Sequence, residues 1–78
     1  MPVFYFHIRS DRGVHPDTDG VRLPDDESVR KEAIDRALIE MSEGVKHDED
    51  RATWCFDVRD EQDRRVLEFP FKEAIPTA

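Results

Sequence analysis

The chain has one cysteine, little positive charge and no long apolar run, and each scarcity removes a class of protein. With Cys55 alone no internal disulfide can form, so the fold must stand on packing, which suits a reducing, cytoplasmic setting. The most apolar stretch, Val3 to Ile8, is interrupted by His7 and ends at Arg9. That is too short for a signal peptide, and far short of the ~20 apolar residues of a membrane span. Twelve Lys and Arg face 19 Asp and Glu, a formal net charge of −7. Nucleic acid and anionic membrane both need cationic surface, so neither is expected as a partner. Internal repeats, low-complexity segments and linkers are also missing.

What is present suffices for one small domain. Leu, Ile, Val and Phe number 19 of 78 residues, above the fraction of about 20% below which chains stay unfolded. The stability margin of a domain this size is about a few kcal/mol.

Val3 to Arg9 is rich in aromatic and β-branched residues and runs into a polar turn at Ser10 to Gly13, which predicts a strand. Side chains alternate along it, so Phe4, Phe6 and Ile8 face a core while Val3, Tyr5, His7 and Arg9 face out. Gly13 to Leu23 carries Val14, Val21 and Leu23 but is broken by Pro16, Gly20 and Pro24. It reads as a short, irregular edge strand, because proline cannot donate to a ladder. Asp25 and Asp26 open a helix that runs to about Glu43, where Gly44 is a natural stop. Val29, Ala33, Ile34, Ala37, Leu38 and Met41 form its apolar stripe. Asp26–Arg30, Glu27–Lys31 and Glu32–Arg36 are acid-before-base pairs at the favourable spacing. Ile39 falls outside the stripe. Thr53 to Arg59 alternates with Trp54, Phe56 and Val58 inward, and Arg65 to Phe71 returns with Leu67, Phe69 and Phe71 inward. A polar turn, Asp60 to Asp63, joins them as a hairpin.

The expected fold is therefore α+β, a ββαββ chain forming a four-stranded antiparallel sheet with one helix packed on one face. Prolines place the second and fourth strands at the edges, giving the order 2-1-3-4 with the helix crossing over the first strand. Residues 1–71 form the single domain, and residues 72–78 are expected to fray. The expected core joins the inward residues of the strands to the helix stripe, Leu38 included.

Met1-Pro2-Val3-Phe4-Tyr5-Phe6-His7-Ile8-Arg9 and Asp17-Thr18-Asp19-Gly20-Val21-Arg22-Leu23-Pro24-Asp25, with Glu32-Ala33, Val58-Arg59-Asp60-Glu61 and Arg65-Val66-Leu67, carry a family likeness. Together they resemble an uncharacterised family of small bacterial proteins, a domain of unknown function. The likeness covers nearly the whole chain and implies a length and a fold but no activity. Relatives often have glycine in the last hairpin turn, where this chain has Asp63. A looser, topological likeness is to small antitoxin domains of the HicB type. Leu23-Pro24-Asp25 before the helix matches them, but no DNA-binding tail follows.

Asp17, Asp19, Gly20 and Asp26 partly match a calcium loop. His15 would stand at the first ligand position and no helix precedes, so an acidic turn with a helix cap accounts for them better. On the outer sheet face His7 and Cys55 suggest a metal pair or an activated thiol. Two ligands are too few for structural zinc, and a chain this small builds no deep pocket. No catalytic residue, metal or cofactor is expected. RNA binding fails because Tyr5 is the only outward aromatic of the strand and the surroundings are acidic.

Two surfaces remain as candidate interfaces. One is the outer sheet face at Val3, Tyr5, His7, Cys55 and Val66, and the other is the helix side near Ile39. The expectation is a non-enzymatic protein-interaction module, homodimeric, with an acidic helix face suited to a basic partner. The alternative is an antitoxin-like partner of a small basic toxin, and a thiol or metal enzyme is the third class.

Overall fold

Five strands, one long helix and a terminal 3-10 turn make up residues 1–76, the part of the chain that the computed structural model describes. β1 (Val3–Ser10) is the long inner strand. β4 (Cys55–Arg59) lies antiparallel to it, with His7 opposite Asp57 and Arg9 opposite Cys55. β5 (Arg65–Pro70) pairs with the far side of β4, Phe56 against Phe69 and Val58 against Leu67. The expected second strand is present in two pieces, β2 (Gly13–His15) beside Ile8–Ser10 and β3 (Val21–Arg22) beside Val3–Phe4. Both pieces lie on the same edge of β1, so the order is β2-β1-β4-β5 with β3 continuing the β2 edge. The α+β class and the antiparallel sheet with one packed helix agree with the sequence expectation. Pro16 and Gly20 mark where the edge strand splits.

α1 runs from Asp26 to Lys46. Asp25 caps it, its carboxylate accepting from Ser28 N–H at 2.8 Å. The expected stop at Gly44 is overturned, because Gly44 lies inside the helix and is buried. The chain leaves the helix through His47 and then Asp48, whose φ of 56° supplies the left-handed turn. It folds straight back, so that Glu49 N–H donates to Gly44 C=O at 2.8 Å. A Cβ on residue 44 would stand 2.6 Å from the Glu49 carbonyl oxygen. Glycine is there because backbone passes over it, not because the helix ends.

The core is Phe4, Phe6, Val29, Ala33, Ala37, Phe56, Val58, Phe69, Phe71 and Ala74, with Ile8, Ile34, Met41, Trp54 and Leu67 partly buried around it. Phe6 and Phe56 meet edge to face at 5.7 Å, and Phe56 packs on Phe71 at 4.6 Å. Leu38 is a correction, since it is 43% exposed. The tail is another, because Phe71–Ala74 forms a 3-10 turn that buries both Phe71 and Ala74. Residues 77–78 of the expected fray lie outside the described residues. This turn packs beneath α1, and the helix backbone runs closest to it and to β5. The expected crossover above β1 is thereby displaced, which leaves a groove over β1 floored by Phe6, Ile8 and Phe56.

Asp63 has a φ of 61°, the region that glycine enters freely and aspartate tolerates. Asp63→Gly is expected to stabilise the hairpin by about 0.5 kcal/mol, the relieved strain slightly exceeding glycine's greater freedom in the unfolded chain. Thermal unfolding should show a melting temperature raised by about 2–4 °C.

Candidate functional site

The outer face of the sheet is built by the alternation of β1, β4 and β5. Arg9 Nη2 donates to Glu68 at 2.6 Å and reaches Cys55 Sγ at 3.3 Å. Asp57 accepts from Arg59 at 3.1 Å and from Arg65 at 3.0 Å, and Arg65 lies 3.3 Å from Glu68. Burial pushes the Asp57 carboxyl up, but the bonds from Arg59 and Arg65 outweigh it and hold it below its ordinary value. Cys55 and Glu68 hold the Arg9 guanidinium above its own. Three arginines and two acids thus pair off across the face where Cys55 sits.

The other half of that face is covered by the chain itself. The segment between β2 and β3 folds back over β1, and Gly20 approaches so closely that a Cβ there would stand 2.7 Å from Val3 and 2.9 Å from Tyr5. Gly20 has a φ of 72°, so glycine suits the position on both counts. Asp17 pins the segment. Its Oδ2 accepts from Phe6 N–H at 3.0 Å, while Oδ1 accepts from Asp19 and Gly20 N–H at 3.0 and 3.2 Å. Asp17 N–H in turn donates to His7 Nδ1 at 3.0 Å. A backbone amide can only donate, so Nδ1 is the acceptor in this contact. Burial pushes the Asp17 carboxyl up, but amides of Phe6, Gly20 and Asp19, with the charge of Arg36, hold it below its ordinary value.

The register and these contacts also place the other residues considered for the face. Register places His7 opposite Asp57 and Cys55 opposite Arg9, so imidazole and thiol are not paired across the strands. Asp17 spends its oxygens on three amides rather than turning them toward an ion, and Asp26 belongs to the first turn of α1. Among the described residues no three His, Cys, Asp or Glu side chains gather as a metal site. Val3, Tyr5, His7 and Cys55 are all half-buried, and Val66 sits beside the irregular pairing of Val58 and Arg59 in the hairpin.

The helix side is different. Val45 is 79% exposed, Ile39 62% and Ile75 50%. Ile39 stands at the mouth of the groove over β1, between Arg36 and Glu40. On the opposite flank a second groove of about 510 Å³ opens among Met41, Val45, Ala52 and Ile75, with Asp48, Glu49 and Asp50 at its rim. Arg51 braces that rim from inside, donating to Glu49 at 2.7 Å and Glu40 at 2.8 Å with its guanidinium 4.8 Å from the Trp54 ring. The bond from Arg51 holds the Glu49 carboxyl below its ordinary value. Sequence reasoning marked Ile39 but assigned this flank to the core. Val45, one turn beyond Met41, was the missed signal.

Among the described residues no helix is long and apolar enough to cross a membrane. Residues 3–72 match the model of a family described as Domain of unknown function (DUF6894). No curated protein and no solved structure matches the chain.

Proposed function

The chain belongs to the DUF6894 family, a domain of unknown function, and we propose that it is a non-enzymatic, homodimeric protein-interaction module whose contact surface is the helix side. The observation that carries this reading is the contrast between the two faces of the layer. The outer sheet face pairs its charges internally and lies partly under the Asp17–Gly20 segment. The helix side leaves Leu38 and Val45 of α1 and Ile75 of the terminal turn exposed on one flank and Ile39 on the other, in a chain of net charge −7. Grouped exposed aliphatics on a charged protein mark association surfaces.

Sheet-edge pairing competes poorly with it. β2 and β3 are three and two residues long, and β5 ends in Pro70, which has no N–H to offer. A bacterial, reducing cytoplasm is the setting that fits a single unpaired Cys55. The test is the mass of the purified protein in solution by sedimentation equilibrium. Twice the chain mass of 9.2 kDa is expected. A particle of 9.2 kDa at every concentration overturns the homodimeric reading.

A further inference from the structure

We infer that the Asp17–Gly20 segment is a pH-sensitive strap, latched over the outer sheet face by His7 Nδ1 acting as an acceptor and loosened when that ring takes up a proton.

The strap fills a gap in the edge of β1. β3 pairs with Val3 and Phe4, and β2 pairs with Ile8, Arg9 and Ser10, so Tyr5, Phe6 and His7 lie between them. Two bonds of opposite sense stand there in place of strand pairing. Phe6 N–H donates to Asp17 Oδ2 at 3.0 Å, and Asp17 N–H donates to His7 Nδ1 at 3.0 Å. Residue 17 is thus tied to β1 twice, once through its side chain and once through its main chain.

Acid acts on the two ties differently. The Asp17 carboxyl is held below its ordinary value of 3.8, so it stays charged across the range of about pH 5 to 8 in which imidazole titrates. An imidazolium carries N–H on both ring nitrogens, so in neither orientation of the ring can it accept from the Asp17 amide. Protonation leaves two donors facing each other. The amide of residue 17 belongs to the backbone, so this response is separate from that of the Asp17 side chain.

The surrounding charges do not reward the proton. On β1, the Tyr5 ring stacks on His7 at 6.3 Å and Arg9 is bound to Glu68 of β5 and to Cys55 of β4. On β4, Asp57 stands opposite His7 but is shared by Arg59 and by Arg65 of β5. In the strap, Asp17 serves the amides of Phe6, Asp19 and Gly20, Arg36 of α1 adds positive charge, and the Asp19 side of the turn is exposed. On this face Arg9, Arg59 and Arg65 therefore balance Asp17, Asp57 and Glu68. The lost bond then decides the outcome, and the strap loosens. β2 and β3 keep their own pairing with β1, so the movement is local. It uncovers Val3 and Tyr5, over which Gly20 is packed, and frees the Phe6 N–H.

Amide hydrogen exchange of the full chain, expressed as protection against the unstructured rate, reads such an opening directly. Protons bind the open form, so protection falls on acidification. From about pH 7.5 to about pH 5.5 the Phe6 and Asp17 amides should lose about fivefold in protection, the worth of one hydrogen bond, while amides of the β1–β4 ladder hold theirs. His7→Asn places an amide oxygen near the position of Nδ1 and has no proton to bind, so its protection should stay level over the same range. His15 titrates there too and lies in β2 beside the strap, and His15→Gln should keep the wild-type response. Wild-type protection that is flat with pH overturns the latch. So does a His7→Asn chain that still follows the wild type, or a His15→Gln chain that loses the response.

Discussion

Gly44→Ala is expected to destabilise the protein by about 2–3 kcal/mol, against the roughly 1 kcal/mol that alanine gains over glycine in a helix interior. The added methyl meets the Glu49 carbonyl oxygen at 2.6 Å and Arg51 Cγ at 2.8 Å. A side chain could swing aside, but the nearest atom is backbone. The Glu49 peptide is fixed by its own 2.8 Å bond to the Gly44 carbonyl. Moving it displaces Arg51 from Glu40, from Glu49 and from the face of Trp54. The return of the chain from helix to β4 depends on those contacts. In a domain of this length the loss corresponds to a fall in melting temperature on the order of 10 °C. A rise of a few degrees would mean that helix propensity governs the position and that the Glu49–Arg51 turn yields freely.

Position 44 also illustrates what the sequence could and could not say. Alternation in Val3–Arg9, Thr53–Arg59 and Arg65–Phe71 was legible because a half-buried strand must repeat every second residue. The helix was legible from its stripe and its aspartate cap. Gly44 looked like a stop because the local pattern cannot show that a later loop passes over it. Leu38 shared the spacing of the buried stripe, yet it lies at the stripe's margin. The spacing alone does not show that the buried face centres on Val29, Ala33, Ala37 and Gly44, which leaves Leu38 43% exposed. The alternation of β1 put Tyr5 and His7 outward correctly. It could not reveal that Asp17–Gly20 folds over them, since the bonds join residues ten and eleven apart through a segment without periodicity. At Asp63, where relatives often have glycine, the sequence left the turn type open, and the φ of 61° shows a left-handed turn residue.

Asp17→Ala is expected to cost about 2–4 kcal/mol, because a carboxylate that serves three amides is lost and at least the Phe6 N–H has no strand partner to replace it. That amide points into the gap between β2 and β3, where the edge of β1 is otherwise unpaired. Water can reach Asp19 more easily than Phe6, which is only 3% exposed. The pH dependence of the milder Asp17→Asn variant tests whether charge is what holds the segment. The Asp17 carboxyl is depressed in the folded protein, so its contribution is complete above the ordinary value of 3.8. It is lost as pH falls below 3.8 through the lowered folded value, because the unfolded chain binds the proton first. Asparagine has no proton to bind. The stability gap between wild type and Asp17→Asn, read from denaturant unfolding, should therefore be greatest near neutral pH and close as the medium is acidified past 3.8. Depression of Asp57 lowers both proteins alike in that range and cancels in the difference. A gap that stays constant from neutral pH into acid would assign the role of Asp17 to the shape of its turn, and the strand edge would then be closed by geometry rather than by charge.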